Sequence, residues 1–149
     1  MRAILCLTLC LLSAAPWLTS VPARAGELEV NRIERGTPAR TRLLDAARPT
    51  FERETGGPIE FVVTTLNVYD DWAFGNVQVQ RPGGQRIDWR HTKFAEDYAQ
   101  GMFDAGGHFF LMRNDRGVWT MVEYAIGPTD VAWDWWRQQH GLPTELFED

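Results

Sequence analysis

Short runs of β-branched and aromatic residues alternate with turn residues along this chain. Ile59 to Val68 and Trp72 to Gln80 are two such runs, and Pro82-Gly83-Gly84 stops the second. Runs bounded in this way predict strands, and Tyr69-Asp70-Asp71-Trp72 predicts the hairpin turn between them. A second pair follows, His108 to Arg113 and Val118 to Ile126, joined by Asn114-Asp115-Arg116-Gly117. By strict alternation Trp119, Met121 and Ala125 share one face of the last strand, and Val118, Val122, Tyr124 and Ile126 share the other. Both faces are partly apolar, which predicts a central strand covered on both sides.

Helical spacing brackets these strands. Thr37-Pro38 reads as an N-cap followed by proline at the first helical position. Leu43, Leu44, Ala47 and Phe51 then form one apolar face, and Gly56-Gly57-Pro58 ends the element. Pro49 lies inside this pattern and is expected to kink or break it. Thr92 to Gln100 predicts a short helix capped by Thr92, with Phe94 and Tyr98 one turn apart. After Gly127-Pro128, Thr129 or Asp130 is expected to cap a last helix ended by Gly141. Ala132, Trp133, Trp136 and His140 make one face of it, and Val131 and Trp135 make another. Leu142, Leu146 and Phe147 predict a tail that packs back onto the domain.

The order helix, two strands, short helix, two strands, helix predicts an α+β fold. The expected architecture is a curved antiparallel sheet of about four strands (two hairpins), packed on an N-terminal helix, with a short C-terminal Trp-rich helix. The first residues alter the domain limits. Met1-Arg2, the apolar run Ile4–Ala15 and the small-x-small triplet Ala23-Arg24-Ala25 predict a secretory signal peptide over residues 1–25, cleaved after Ala25. Residues 26–36 form an N-terminal arm or an added edge strand, and residues 37–149 form a single α+β domain.

Cleavage changes the composition. Both cysteines, Cys6 and Cys10, leave with the signal segment, so the mature chain of 124 residues out of 149 has no disulfide and no thiol nucleophile. Arg2 and Arg24 leave too, so 13 basic residues face 20 acidic ones, a net charge of −7. Such a chain repels nucleic acid and anionic lipid. The expected location is periplasmic or secreted, with no stable membrane anchor after cleavage.

The chemistry-bearing residues are few. The sequence holds no H-x-x-x-H, no carboxylate cluster, no G-x-S-x-G and no cofactor motif. No metal and no cofactor are therefore expected. General acid–base work commonly pairs a histidine with a carboxylate, which makes His91 or His108 with Asp88 or Asp130 the candidate catalytic set. Asp130 is fully explained as a helix N-cap, and His91 is more readily a surface loop residue than a catalytic one. Tryptophan is the more distinctive signal. A helix of about ten residues buries one stripe, and Trp133, Trp135 and Trp136 cover more than one. With Trp89 and Tyr98 from the middle segment, they are the expected ligand-binding residues.

The pattern Val62-Val63…Val68-Tyr69-Asp70-Asp71-Trp72-Ala73-Phe74, followed by Phe110-Leu111-Met112 and Gly117-Val118-Trp119-Thr120-Met121-Val122-Glu123, resembles exported bacterial domains of the NTF2-like and cystatin-like group. The chain also resembles exported bacterial proteins that end in an I-G-x-T-D-V-A-x-x-W segment, here Ile126-Gly127-Pro128-Thr129-Asp130-Val131-Ala132-Trp133. The NTF2-like and cystatin-like resemblance implies a helix cradled by a curved antiparallel sheet. It also implies a choice among enzymes, ligand carriers and interaction modules, because a fold does not fix a function. The expected function is a non-enzymatic binding or protein-interaction domain with an aromatic patch or pocket, its partner a small molecule or an envelope protein. The alternatives are a small NTF2-like hydrolase or isomerase with a His/Asp pair, and an inhibitor of a cell-envelope hydrolase.

Overall fold

Helix α1 (Pro38–Thr55) begins where its cap predicts, because the Thr37 hydroxyl accepts the Arg40 N–H at 3.3 Å from an extended backbone. It ends at Gly56, whose φ of 75° lets the chain leave in a left-handed conformation. The expected break at Pro49 does not occur. Pro49 and Asp45 both face solvent, so the carbonyl deprived of its donor stays hydrated, while Leu43, Ala47 and Phe51 bury the opposite face. A computed structural model describes residues 29–149 of the chain; the signal segment expected over residues 1–25 lies outside the described residues.

Five strands follow one another as an open antiparallel meander: β1 (Asn31–Arg32), β2 (Glu60–Tyr69), β3 (Trp72–Gln80), β4 (His108–Asp115) and β5 (Val118–Ile126). The expected four are joined by β1, a two-residue edge strand that the arm lays beside Asn67 and Val68. Helix α2 (Ala95–Ala99) and helix α3 (Ala132–His140) complete an α+β fold. Both predicted hairpin turns form, with Asp70 and Arg116 at φ of 52° and 53°. Two caps fall elsewhere than expected. Thr92 accepts the Phe94 N–H and closes the turn before α2 rather than capping it. At α3 the Asp134 N–H closes on the Val131 carbonyl at 2.9 Å, so the helix starts beyond Thr129 and Asp130, and both remain exposed.

The sheet is covered on both faces. On one face α1 inserts Leu43, Ala47 and Phe51 among Leu66, Ala73, Val77, Phe110 and Met112. Phe51 meets Phe61 and Phe110 edge-on, at 5.2 Å and 6.0 Å between centroids. Phe110 lies directly on Gly75, where a Cβ would fall 2.2 Å from its ring. On the other face Trp136, Leu142, Leu146 and Phe147 cover Phe74 and Leu111. Trp133 stacks on Phe147 at 5.4 Å, and the buried Asn67 amide donates to the Leu146 and Glu148 carbonyls, pinning the tail. Fully burying each such Leu or Phe contributes about 1.5–3 kcal/mol.

Strand β5 is not central. It forms the sheet edge, and its apparent second apolar face comes from a bulge. Leu111 pairs with Glu123 and Met112 with Met121, leaving Val122 unpaired. An extra residue reverses the parity of the strand. Trp119 and Met121 before the bulge, and Ile126 after it, therefore pack on the α1 side. Tyr124, opposite the buried Phe110, joins them. A second bulge between Val63 and Thr65 reverses β2 in the same way.

Candidate ligand groove

Strand β3 outruns its neighbour. Its pairing with β2 continues to Gln80–Glu60, whereas its pairing with β4 stops at Val77–His108. Residues 78–80 therefore have a strand on one side only. The chain then doubles back through Pro82-Gly83-Gly84, with the Arg81 N–H on the Gln85 carbonyl at 2.7 Å. Gly83 and Gly84 take φ of 77° and 79°, as so tight a reversal requires. The Arg81 guanidinium fastens the reversal to the end of α1, donating to the Thr55 carbonyl at 2.7 Å and the Pro58 carbonyl at 3.1 Å.

The returning segment runs beside β3 without pairing to it, because Ile87 and Trp89 pull it toward the α1 side of the core. Trp89 is 5 % exposed and sits against Phe103 at 4.6 Å, His108 at 5.5 Å and Phe94 at 6.1 Å. Tyr98 on α2 reaches Phe103 edge-on. A groove of about 430 Å³ is left between β3 and this aromatic cluster. Val79, Ile87 and Trp89 form its apolar floor, and Gln78, Gln80, Arg86 and Tyr98 stand at its walls. A second hollow of about 470 Å³ shares Arg86, Ile87, Trp89 and Tyr98 and continues the depression past Asp88 and Arg90.

The charges around the groove differ in how they are satisfied. Arg90 clamps Asp88 through two bonds of 2.8 Å and holds its carboxyl far below the usual range. Lys93, the chain's single lysine, pairs with the buried Glu54 on α1. This ammonium, with Tyr124 and Arg53, keeps the Glu54 carboxyl below its usual range against the opposing effect of burial. Arg86 has no such partner: no ion pair among the described residues includes it.

Beneath the groove, His108 is wholly buried. Its Nδ1 accepts the Gly127 N–H at 2.9 Å, which places the ring proton on Nε2, and Nε2 has no partner among the described residues. Burial pushes the imidazole down to about 4, against a small opposing pull from Asp104. His108 is therefore a neutral core residue at pH 7.

The sequence-predicted site residues fall into separate places. Trp89 and Tyr98 line the groove. Trp133, Trp135 and Trp136 lie on α3 and form no common patch with them, since Trp133 and Trp136 pack on the opposite sheet face. Trp136 is buried, Trp133 half-buried, and only Trp135 is open, at 66 %. His91 Nδ1 lies 3.0 Å from Asp88, but on a turn where four fifths of the His91 side chain faces solvent. Asp130 is exposed before α3. His140 makes an acid–base contact that spacing alone does not reveal, 3.4 Å from Glu123 with its ring 4.8 Å from Trp72. It fastens α3 to the sheet. Gln78, Gln80 and Arg86 were not singled out by sequence, because only the mismatch in strand lengths makes them walls.

No protein-family model, no curated protein and no solved structure matches this chain.

Proposed function

We propose that this is a periplasmic or secreted non-enzymatic binding domain, of the NTF2-like and cystatin-like kind that its strand motifs resemble, and that its site is the groove beside β3. One observation carries the proposal: in a concavity of ligand size an apolar floor containing Trp89 meets the side chains of Gln78 and Arg86, which have no hydrogen bond or ion pair among the described residues. Small-molecule sites likewise set a few convergent polar groups around apolar surface. The aromatic site is thus drawn from Trp89 and Tyr98, and Trp133 and Trp136 serve as packing on the opposite sheet face. An acid–base reading is less favoured, since His91 and Asp88 stand on an open turn and no carboxylate among the described residues bonds to His108.

Chemical-shift mapping on the isotopically labelled mature domain tests this. Titration with a small-fragment library is expected to move the resonances of Gln78, Arg86, Trp89 and Tyr98 together. Tyr98→Ala is expected to weaken the hits about tenfold, the loss of one aromatic wall, with little change in Tm because Tyr98 is half exposed. Hits that map only to Trp135 and Val131 would overturn the proposal.

A further inference from the structure

Resting on that groove as the binding site, we infer that its ligand is the carboxylate end of a short extended peptide. Three features of the groove select this chemistry. The first is the strand edge. Residues 78–80 of β3 continue the sheet with no strand paired on the β4 side among the described residues, so their main-chain groups on that side are not committed to a ladder. Addition of a strand to such an edge draws affinity from main-chain hydrogen bonds. The notch is only about three residues long, which limits the ligand to a short segment.

The second is Arg86. Arg86 lines both hollows, and its planar guanidinium has no ion pair among the described residues, in a chain where Arg90 and Arg113 each hold a carboxylate. A guanidinium fork matches a carboxylate through two parallel bonds. The third is the floor. Val79, Ile87 and Trp89 are buried apolar groups beside the strand edge, and they offer a seat to an apolar side chain next to the carboxylate. A saccharide acid would satisfy Arg86 but leave the strand edge unused, and a neutral sugar would leave both unused.

The test uses the mature domain and four probes: N-acetyl-Ala-Ala-Leu with a free carboxylate, the same peptide as its C-terminal amide, galacturonate and glucose. Resonances of residues 78–80 and of the Trp89 indole are followed by NMR. The free-acid peptide is expected to shift them saturably, and the amide to bind about tenfold more weakly, as loss of one charge-assisted pair implies. Arg86→Gln is expected to remove that difference and leave the amide's affinity unchanged. Arg86 is exposed and bonded to nothing among the described residues, so the variant is expected to fold, and an unchanged thermal transition checks this. Equal binding of acid and amide overturns the inference, as does an acid preference that survives Arg86→Gln. Saturation by galacturonate or glucose without the peptide also overturns it, while leaving the groove as the binding site. Silence toward both peptides overturns it as well, and the fragment mapping then decides the groove separately.

Discussion

His108 ties the stability of the domain to pH, and the size of the effect follows from its surroundings. The ring is wholly buried among Trp89, Phe103 and the Gly127 backbone, and its Nδ1 is already used as an acceptor. Protonation would place a charge there with Asp104 as the one opposing influence. An ordinary imidazole titrates near 6.5 and this one at about 4, a difference of roughly 3 kcal/mol at about 1.4 kcal/mol per tenfold change in proton affinity. Between those values the unfolded chain binds more protons than the native one, so stability rises with pH. The contribution is complete above about pH 7, falls by about 2 kcal/mol at pH 5, and levels off below about pH 4. Urea unfolding followed by circular dichroism at pH 7.5, 6 and 5 measures it, with His108→Leu as the reference that cancels the carboxylates. His108→Leu strands the Gly127 N–H and is expected to cost about 1–3 kcal/mol at pH 7.5. The wild-type stability is then expected to fall toward the variant's by about 2 kcal/mol on going to pH 5. If the variant does not fold, the wild-type His108 ring resonances give the same answer by keeping their neutral-form shifts down to about pH 5. A difference between the two proteins that stays flat with pH, or ring shifts that move near pH 6.5, would refute the reasoning.

Two further substitutions test the packing that frames the groove. Gly75→Ala drives a methyl into the Phe110 ring, which packs edge-on against Phe51. It is expected to cost about 1–3 kcal/mol, read as a lower urea midpoint with an unchanged slope. Asn67→Ala removes both amide bonds to the tail. It is expected to cost about 1–3 kcal/mol and to speed hydrogen exchange at Leu146 and Phe147 before the rest of the sheet.

Much of the fold was legible because local chemistry decided it. Thr37-Pro38 and Gly56 bound α1 as written, Asp70 and Gly117 sit in the expected turns, and Leu142, Leu146 and Phe147 pack back as their apolarity implies. The misreadings arise where a long-range constraint overrides a local rule. Strict alternation through Val122 predicted two covered faces for β5, and a bulge turned one apolar stripe into two apparent ones. Pro49 was tolerated because tertiary burial of Ala47 and Phe51 outweighs one lost helical bond. The groove was half legible. Trp89 and Tyr98 stood out as aromatic residues in a polar stretch, but they share no patch with the α3 tryptophans because the sheet lies between the two sets. Gln78, Gln80 and Arg86 carry no sequence signal, since their role comes from β3 running past β4.

A crystal of the mature domain soaked with the N-acetyl-Ala-Ala-Leu free acid reads the site most directly. Density is expected along residues 78–80, with the leucine side chain over Trp89 and the carboxylate on Arg86. Density confined to the exposed Trp135 face, with the groove occupied by water alone, would contradict it.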